Sequence, residues 1–391
     1  NFGLAQNTET TTFNISLTRL GEQGALEGNN GYWRNVGRMS IDHRLGTKIS
    51  FSAVAQHTRS NRDVISGSPF VDIYLYPSWI DLRAKGPDGQ YLMVPDPDVE
   101  QENPLWRQTT RHHYDARART LGSLNARYNP VQWATFDAQL SYDRADTKFQ
   151  EYVPKGVPLS ATSDQPATGS LRLNHRENDT FNGSVGATFM RQFGDLNARF
   201  TTRGTVEKET TEFFEAEGRD FVVQGVRDLD ATREVYNVSS NTQDIRANGF
   251  LGDLALDFRD RYIFSTLIRR DGSSLFGPDE RWQTYRRVAA AYRISQEDWF
   301  NLPHIDELKF RYAMGEAGGR PSFSWQYETW NVSRTSGLTR ETSGNSQLKP
   351  TFTREQEFGI DIIGFNNRVS LELVYAHQKS RDQIIIVPAT V

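Results

Sequence analysis

The residues with the clearest potential for chemistry form a compact polar loop, RDGSSLFGPDERW, at residues 270–282. Its glycine, serine and acidic residues are of the types that cradle a phosphate group or hold a metal ion. The loop lacks the spacing of a phosphate-binding loop, because no Lys-Ser or Lys-Thr pair follows the glycines. Turn formation and pairing between arginine and carboxylate side chains account for the same residues. We therefore predict a structural role for this loop.

Two other groups of side chains are candidates for metal binding. His112 and His113 lie in a predicted long loop, and adjacent residues on a strand point to opposite sides, with no third ligand nearby. An acidic run in the same segment is a possible calcium site, although it lacks the glycine and the ligand order of an EF-hand. The run consists of Asp96, Asp98, Glu100 and Glu102. We predict a solvated loop here and no bound cofactor.

No pattern typical of an enzyme occurs in the chain. Gly-x-Ser-x-Gly, HExxH and a glycine-rich strand-to-helix turn are all absent from the sequence. Carboxylate pairs are abundant in a chain with 24% charged residues, so none of them marks a hydrolase. The net charge of −4 gives no indication of a nucleic-acid-binding surface. We predict a protein that is not an enzyme and that does not bind nucleic acid.

Aromatic side chains in the long connecting segments are the best candidates for contact with a substrate or partner. Aromatic faces beside polar groups stack on sugars or hold peptides. The alternative, which we favour for any single residue, is packing of one loop on another or a place in an aromatic girdle. The candidates are Tyr74, Tyr76, Trp79, Trp106, Trp325, Tyr327 and Trp330.

The elements that must position these residues are long alternating strands. In the strand before the polar loop, Tyr262, Phe264 and Ile268 share one face, while Ser265 and Arg269 share the other. This alternation over about 10 residues is typical of a tilted strand in an outer-membrane β-barrel. We find about 13 such strands, and nearly every second connection is long. The long segments are 58–118, 144–179, 207–247 and 316–352.

The predicted fold class is all-β, namely a transmembrane antiparallel β-barrel. The mean hydropathy of −0.64 is compatible with this class, because a barrel strand buries only alternate residues in lipid. In outer-membrane barrels the short turns face the periplasm and the long loops face outward, and strand numbers in bacteria are even. An open sheet edge in lipid would leave backbone groups unpaired. We therefore expect residues 1–391 to form part of one larger barrel domain.

Between residues 262 and 368 the chain resembles the SusC/RagA-like TonB-dependent transporters. Residues 270–282 are similar to that family's RRDGSSRFG…RWG signature, 289–295 to its SAGWRIS strand and 308–318 to LKLRASYGETGN. The chain departs from the family at Tyr292 and Phe352, where the family has Trp. The matching signature residues, which we predict to be structural, are Arg270, Asp271, Gly272, Ser273, Ser274, Phe276, Gly277, Arg281 and Trp282.

The resemblance implies a barrel of about 22 strands in the cell outer membrane, held by lipid on its outward face. It implies import of a large nutrient, either a glycan or a peptide, through contacts made by the polar lumen face. A SusD-like surface lipoprotein would cover the mouth and bind the long loops. TonB would drive transport through a segment outside this sequence. We expect the plug domain, the TonB box and the terminal strands also to lie outside residues 1–391.

Two other functions remain open. The barrel is alternatively a structural or adhesive outer-membrane component without active transport, which loss of the plug and TonB box would favour. A soluble all-β carbohydrate-binding protein is the third hypothesis, and it requires solubility without detergent. The length of the strands argues against the soluble protein.

Overall fold

The computed structural model describes residues 1–98, 101–158, 167–333 and 337–385, and within them 14 strands form one antiparallel sheet. Each strand pairs with its predecessor, except where a separate hairpin of β13 (Thr329–Ser333) and β14 (Gly337–Thr342) is inserted. The strands of the large sheet are β1 (Phe2–Asn7), β2 (Thr11–Glu22), β3 (Tyr32–Leu45), β4 (Ile49–Asp63), β5 (His112–Val131), β6 (Ala134–Val153), β7 (Ser170–Phe193), β8 (Leu196–Phe221), β9 (Thr232–Phe258), β10 (Tyr262–Ser273), β11 (Trp282–Arg293), β12 (Ile305–Gly319), β15 (Thr351–Gly364) and β16 (Val369–Arg381).

Two short helices lie in the connection between β4 and β5. They are α1 (Pro69–Leu75) and α2 (Pro104–Thr110). In the described parts of the chain no helix is long and apolar enough to cross a membrane.

The predicted strands are all present, and the sheet contains one more. The additional strand is β1, which pairs with β2 from Phe2↔Leu17 to Asn7↔Thr12. Six residues are too few for alternation to identify a strand, so pairing with β2 is what defines it. The all-β, antiparallel class is confirmed.

The strands are longer than the alternation predicts, and the long segments are correspondingly shorter. Most of 207–247 is not a loop, because β8 and β9 continue to pair as far as Phe221↔Thr232, with one shift of register between Glu217 and Gly218. The 27 residues of β9 extend over roughly 90 Å at about 3.3 Å per residue. A strand needs only about 9–11 residues to cross a membrane. In a barrel strand that extends beyond a membrane both faces would meet water, which accounts for alternation that stops while backbone pairing continues.

The two faces of the sheet differ in polarity across its whole width. Cross-strand pairing places Phe264 beside Leu256 and Ala290, and it places Ser265 beside Ala255 and Ala289. The face that carries Phe264 is called the outer face here. Large apolar side chains are exposed on it, for example Val185, which is 65% exposed. Contiguous exposed apolar surface on this scale marks contact with lipid or protein. The face that carries Ser265 is called the inner face.

Several of the short turns contain residues with positive φ. In the turn between β15 and β16, Phe365, Asn366 and Asn367 have φ of 57°, 58° and 61°. Asparagine tolerates positive φ better than most residues, because its short side chain bonds locally to the backbone. The asparagines in Gly364-Phe365-Asn366-Asn367 predict a tight turn between two strands, and the structure confirms it.

Candidate functional site

The inner face is the concave face of the sheet. Arg320 directly follows β12, and its guanidinium donates to both carboxylate oxygens of Glu207 on β8, at 2.8 and 3.3 Å. In a flat sheet β8 and β12 would lie about 19 Å apart, since neighbouring strands are about 4.8 Å apart. The contact therefore requires the sheet to curve toward its inner face.

A polar recess of about 420 Å³ lies in this inner face, across β6 to β10. Most of its uncharged lining residues carry amide or hydroxyl groups, and those of Gln139, Ser141 and Asn182 have no hydrogen-bond partner among the described residues. Free amide and hydroxyl groups on a partly enclosed surface are available to bind a polar ligand. The amide and hydroxyl residues that line it are Gln139, Ser141, Asn182, Ser184, Thr205 and Asn248, and the other uncharged lining residues are Gly183, Val206 and Ala247.

Two ion pairs border the recess. One is the pair of Arg320 with Glu207, and the other joins Arg269 to Asp271 with 2.7 Å between the nitrogen and oxygen. Gly249 lies beneath the second pair, because a Cβ atom there would come within 2.6 Å of an Asp271 oxygen. The two positive and two negative charges balance, so the recess is polar and neutral overall.

The sequence did not single out this recess as a site. Its uncharged residues are ordinary alternate positions of barrel strands, and five strands contribute to it. Asp271 was predicted to have only a structural role, yet its carboxylate also lines the recess. The period-two pattern identifies inward-facing residues, but it does not say which of them meet.

The signature loop is firmly anchored. Gly272, Ser273, Phe276 and Gly277 are buried, and the Ser273 backbone N–H donates to the Arg281 carbonyl at 3.1 Å. A Cβ atom on Gly272 would lie 2.9 Å from the indole of Trp282, and one on Gly277 would collide with the Ser346 carbonyl.

Neighbouring elements also hold the loop. The Ser274 carbonyl accepts from the Gln326 side chain at 2.6 Å, and the Arg270 guanidinium lies 5.6 Å from the centre of the Trp282 ring. These contacts support the predicted structural role, which stays a prediction.

The aromatic candidates divide into exposed and buried residues. Tyr74 and Trp79 are 86% and 79% exposed, while Tyr76 and Trp106 are only 8% and 7% exposed. Tyr76 and Trp106 are buried within the α1–α2 connection, an arrangement that fits the alternative of packing within the loops. Of the remaining candidates, Tyr327 and Trp330 are exposed and Trp325 is half-buried. Their roles in binding stay predictions.

Ion pairs hold the α1–α2 connection together. Arg107 contacts Asp72 at 2.7 Å and Glu102 at 2.8 Å, and Arg111 contacts Glu102 at 2.6 Å. Burial by itself would lower the pKa of Arg107, but its bonds to the two carboxylates outweigh burial and raise that pKa. Burial also raises the pKa of the Tyr76 hydroxyl. The exposed rings of Tyr74 and Trp79 thus belong to a connection that is held together by ion pairs.

Three of the residues considered for metal binding, Glu102, His112 and His113, have other partners. Glu102 of the acidic run is held by the two arginines, and Glu100 lies outside the described residues. His112 and His113 are not in a loop but begin β5, where His112 stacks on Tyr152 and His113 lies 3.3 Å from Glu151. The strand continues to these residues because β6 pairs with them.

One further group brings together potential ligands. Donor atoms of Asp146, His175 and Glu177 lie within 4.8 Å of one another. The His175 ring is 2.9 Å from Asp146, and Arg144 contacts Glu177 at 2.5 Å. These pairs occupy the carboxylates, so the group is explained by ion pairing alone.

Comparison with known proteins places this geometry in a family. The family described as TonB dependent receptor-like, beta-barrel matches residues 57–391. TonB-dependent receptor P26 of Formosa agariphila is 24% identical over 405 residues, covering 97% of this chain and 39% of that protein. TonB-dependent receptor SusC of Bacteroides thetaiotaomicron is 29% identical over 107 residues, covering 27% of this chain and 10% of that protein.

Solved structures show the same fold. The structure of the RagAB peptide transporter superimposes with a TM-score of 0.78 at 15% identity, over 99% of this chain and 45% of that one. The resemblance to SusC/RagA-like proteins is thereby confirmed, and this chain spans about two fifths of the length of curated relatives that it matches over nearly its whole length. The chain belongs to the TonB-dependent receptor-like β-barrel family.

Proposed function

We propose that these residues form the barrel wall of a protein that imports a large nutrient, a glycan or a peptide, across the outer membrane. The main observation behind the proposal is the polar recess in the inner face of this sheet, which belongs to the TonB-dependent receptor-like β-barrel family. Free amide and hydroxyl groups there are suited to weak, reversible contacts with a polar solute. Transport needs such contacts, since tight binding would prevent release.

The different polarity of the two faces of the sheet supports this proposal. The outer face is apolar and fits lipid, while the inner face is polar and fits a solute passing through water. Following the resemblance, TonB supplies the energy through a segment outside these residues. The chemistry is binding and gating, with no covalent step.

Uptake by whole cells tests the proposal directly. We expect labelled glycan or peptide fragments to accumulate in cells that carry the full-length protein, and to stop accumulating when either the protein or TonB is removed. Equal accumulation in all three strains would overturn the import function. Loss of cell adhesion with unchanged uptake would instead favour the structural or adhesive component.

A SusD-like lipoprotein is the proposed partner at the mouth of the barrel. Tyr74 and Trp79 stand exposed on the connection between β4 and β5, one of the long connections that face outward in such barrels. Exposed aromatic rings on an ordered base are typical anchors at protein interfaces. We therefore propose that these two rings contact the lipoprotein.

Removing both rings is expected to weaken this complex without affecting the barrel. The Tyr74→Ala, Trp79→Ala protein should lose most of the co-purified lipoprotein, because anchor residues typically contribute about 2 kcal/mol or more each. The matched control is Trp299→Ala, since Trp299 is 69% exposed in the connection between β11 and β12, at the opposite end of the barrel. Full retention of the lipoprotein by the double variant would show that it binds elsewhere.

A further inference from the structure

Basic side chains follow the apolar rows of the outer face at one end of the strands. On β2 the outward row is Phe13, Ile15 and Leu17, and the next outward residue is Arg19. The same order recurs on other strands, always toward the long connections. The basic residues that continue these rows without a carboxylate partner, called the collar here, are Arg19, Arg59, Lys208, Arg270, Arg286 and Lys379.

All six collar side chains are exposed. In the described parts of the chain no Asp or Glu oxygen lies within ion-pair distance of them. Three neighbouring outward arginines do have such partners, namely Arg144 with Glu177, Arg246 with Asp244 and Arg354 with Glu316. The collar side chains therefore carry positive charge without a direct ion pair in the described chain, although Glu316 accepts a hydrogen bond from the Arg286 backbone N–H at 3.1 Å.

The position of the collar follows the tilt of the barrel. Arg19 on β2 pairs with Asn35 on β3, and Asn35 pairs with Arg59 on β4, which in turn pairs with Ala118 on β5. The first two collar arginines therefore lie in the same row of paired residues. On later strands the collar residue lies progressively nearer the short turns. The short turns shift in the same direction, as strands in a sheared barrel must. The collar thus stays at a constant height above the apolar rows.

The opposite end of the apolar rows is different. There the rows of β5, β9, β10 and β11 end on aromatic rings, namely Tyr128, Phe258, Tyr262 and Tyr292. Aromatic rings suit the boundary between lipid tails and headgroups on either side of a membrane. Among the described outward-facing residues at this end, Arg191 on β7 also lacks a carboxylate partner, and its guanidinium lies 5.7 Å from the centre of the Phe193 ring. The six basic residues of the collar lie at the other end, so the excess of unpaired positive charge belongs to the outward boundary and favours an anion on that side.

We propose that the collar binds phosphate groups of lipid headgroups in the outer leaflet. Lipid tails cover the apolar rows, so their headgroups lie at the height of the collar. Arginine binds phosphate through two parallel N–H donors, and lysine binds it as a point charge. The overall charge of −4 is no obstacle, because the collar is a local feature. This inference goes beyond the import function and needs only a membrane-spanning sheet.

The test uses the full-length protein in detergent and two probes that differ only in phosphate. The probes are bisphosphorylated lipid A and the same lipid after removal of both phosphates, and native mass spectrometry counts the molecules bound. We expect wild type to bind the phosphorylated probe at least about tenfold more tightly than the other. The variant Arg19→Gln, Arg59→Gln, Lys208→Gln should lose most of that preference.

The matched control removes three charges from the inner face. Arg38, Arg127 and Arg199 project inward from β3, β5 and β8, and changing all three to Gln should leave the preference unchanged. A conservative variant, Arg19→Lys, Arg59→Lys, should also keep it, which separates charge from misfolding. Equal binding of the two probes by wild type, or equal losses in the collar and control variants, would overturn the proposal.

Discussion

Cells that produce the Phe264→Arg protein are expected to contain little assembled barrel, whereas the Ser265→Arg protein should assemble normally. Phe264 lies in the apolar row of the outer face, with Leu256 and Ala290 beside it on the neighbouring strands. An arginine that faces lipid costs up to about 2–4 kcal/mol at the bilayer midplane and less toward the boundaries, and the burial of the phenyl ring in lipid is lost as well. A loss of this size is a large part of the stability of a typical protein.

Ser265 is the adjacent residue on the same strand and faces the interior. An arginine there has Asp253 and Asp257 as diagonal neighbours on β9, so its charge meets water and carboxylates. Heat-modifiable migration of the membrane fraction on a gel measures assembly of both proteins. Equal assembly would show that the outer face does not contact lipid, and the soluble all-β protein would regain support.

Filling the recess is expected to reduce import by about tenfold or more while the barrel still assembles. In the Asn182→Trp protein the indole would occupy the space beside Gln139 and Ser141. It would remove several hydrogen bonds of about 1 kcal/mol each, and 1.4 kcal/mol corresponds to a factor of ten. Initial uptake of the labelled solute, normalised to the amount of assembled protein, gives the measurement.

The control for this variant is Asn14→Trp, the same substitution on the inner face of β2. Asn14 pairs with Ser40 away from the recess and is equally exposed. Unchanged uptake by both proteins would remove the recess from the import path, whatever the barrel transports. Reduced uptake by both would mean that any bulky inward ring obstructs the lumen.

The sequence predicted the strands and their two faces well because alternation is a local property. Successive side chains of a strand point to opposite sides, so Phe264 and Ser265 are assigned to different faces without knowledge of any neighbour. The same reasoning located the turn at residues 364–367 and the class of the fold. It underestimated β8 and β9, because alternation ends where lipid ends while the strands continue.

The candidate site depended on information that no local pattern contains. Tyr76 and Trp106 look like exposed loop aromatics in the sequence, yet the packing of α1 and α2 buries them. Exposure of a side chain depends on which other segments cover it. The exposed pair, Tyr74 and Trp79, is distinguished only by the folded connection.

The sequence by itself determined the positions of the strands, their inward and outward faces, and the signature that identifies the family. Only the tertiary structure decided which inward residues meet, since Glu207 and Arg320 lie 113 positions apart in the chain and are joined by curvature. Register and shear likewise decided that basic residues on separate strands form one collar. The backbone geometry of each single strand makes its side chains alternate between two faces. Pairing and curvature, by contrast, arise only when all the strands are present together.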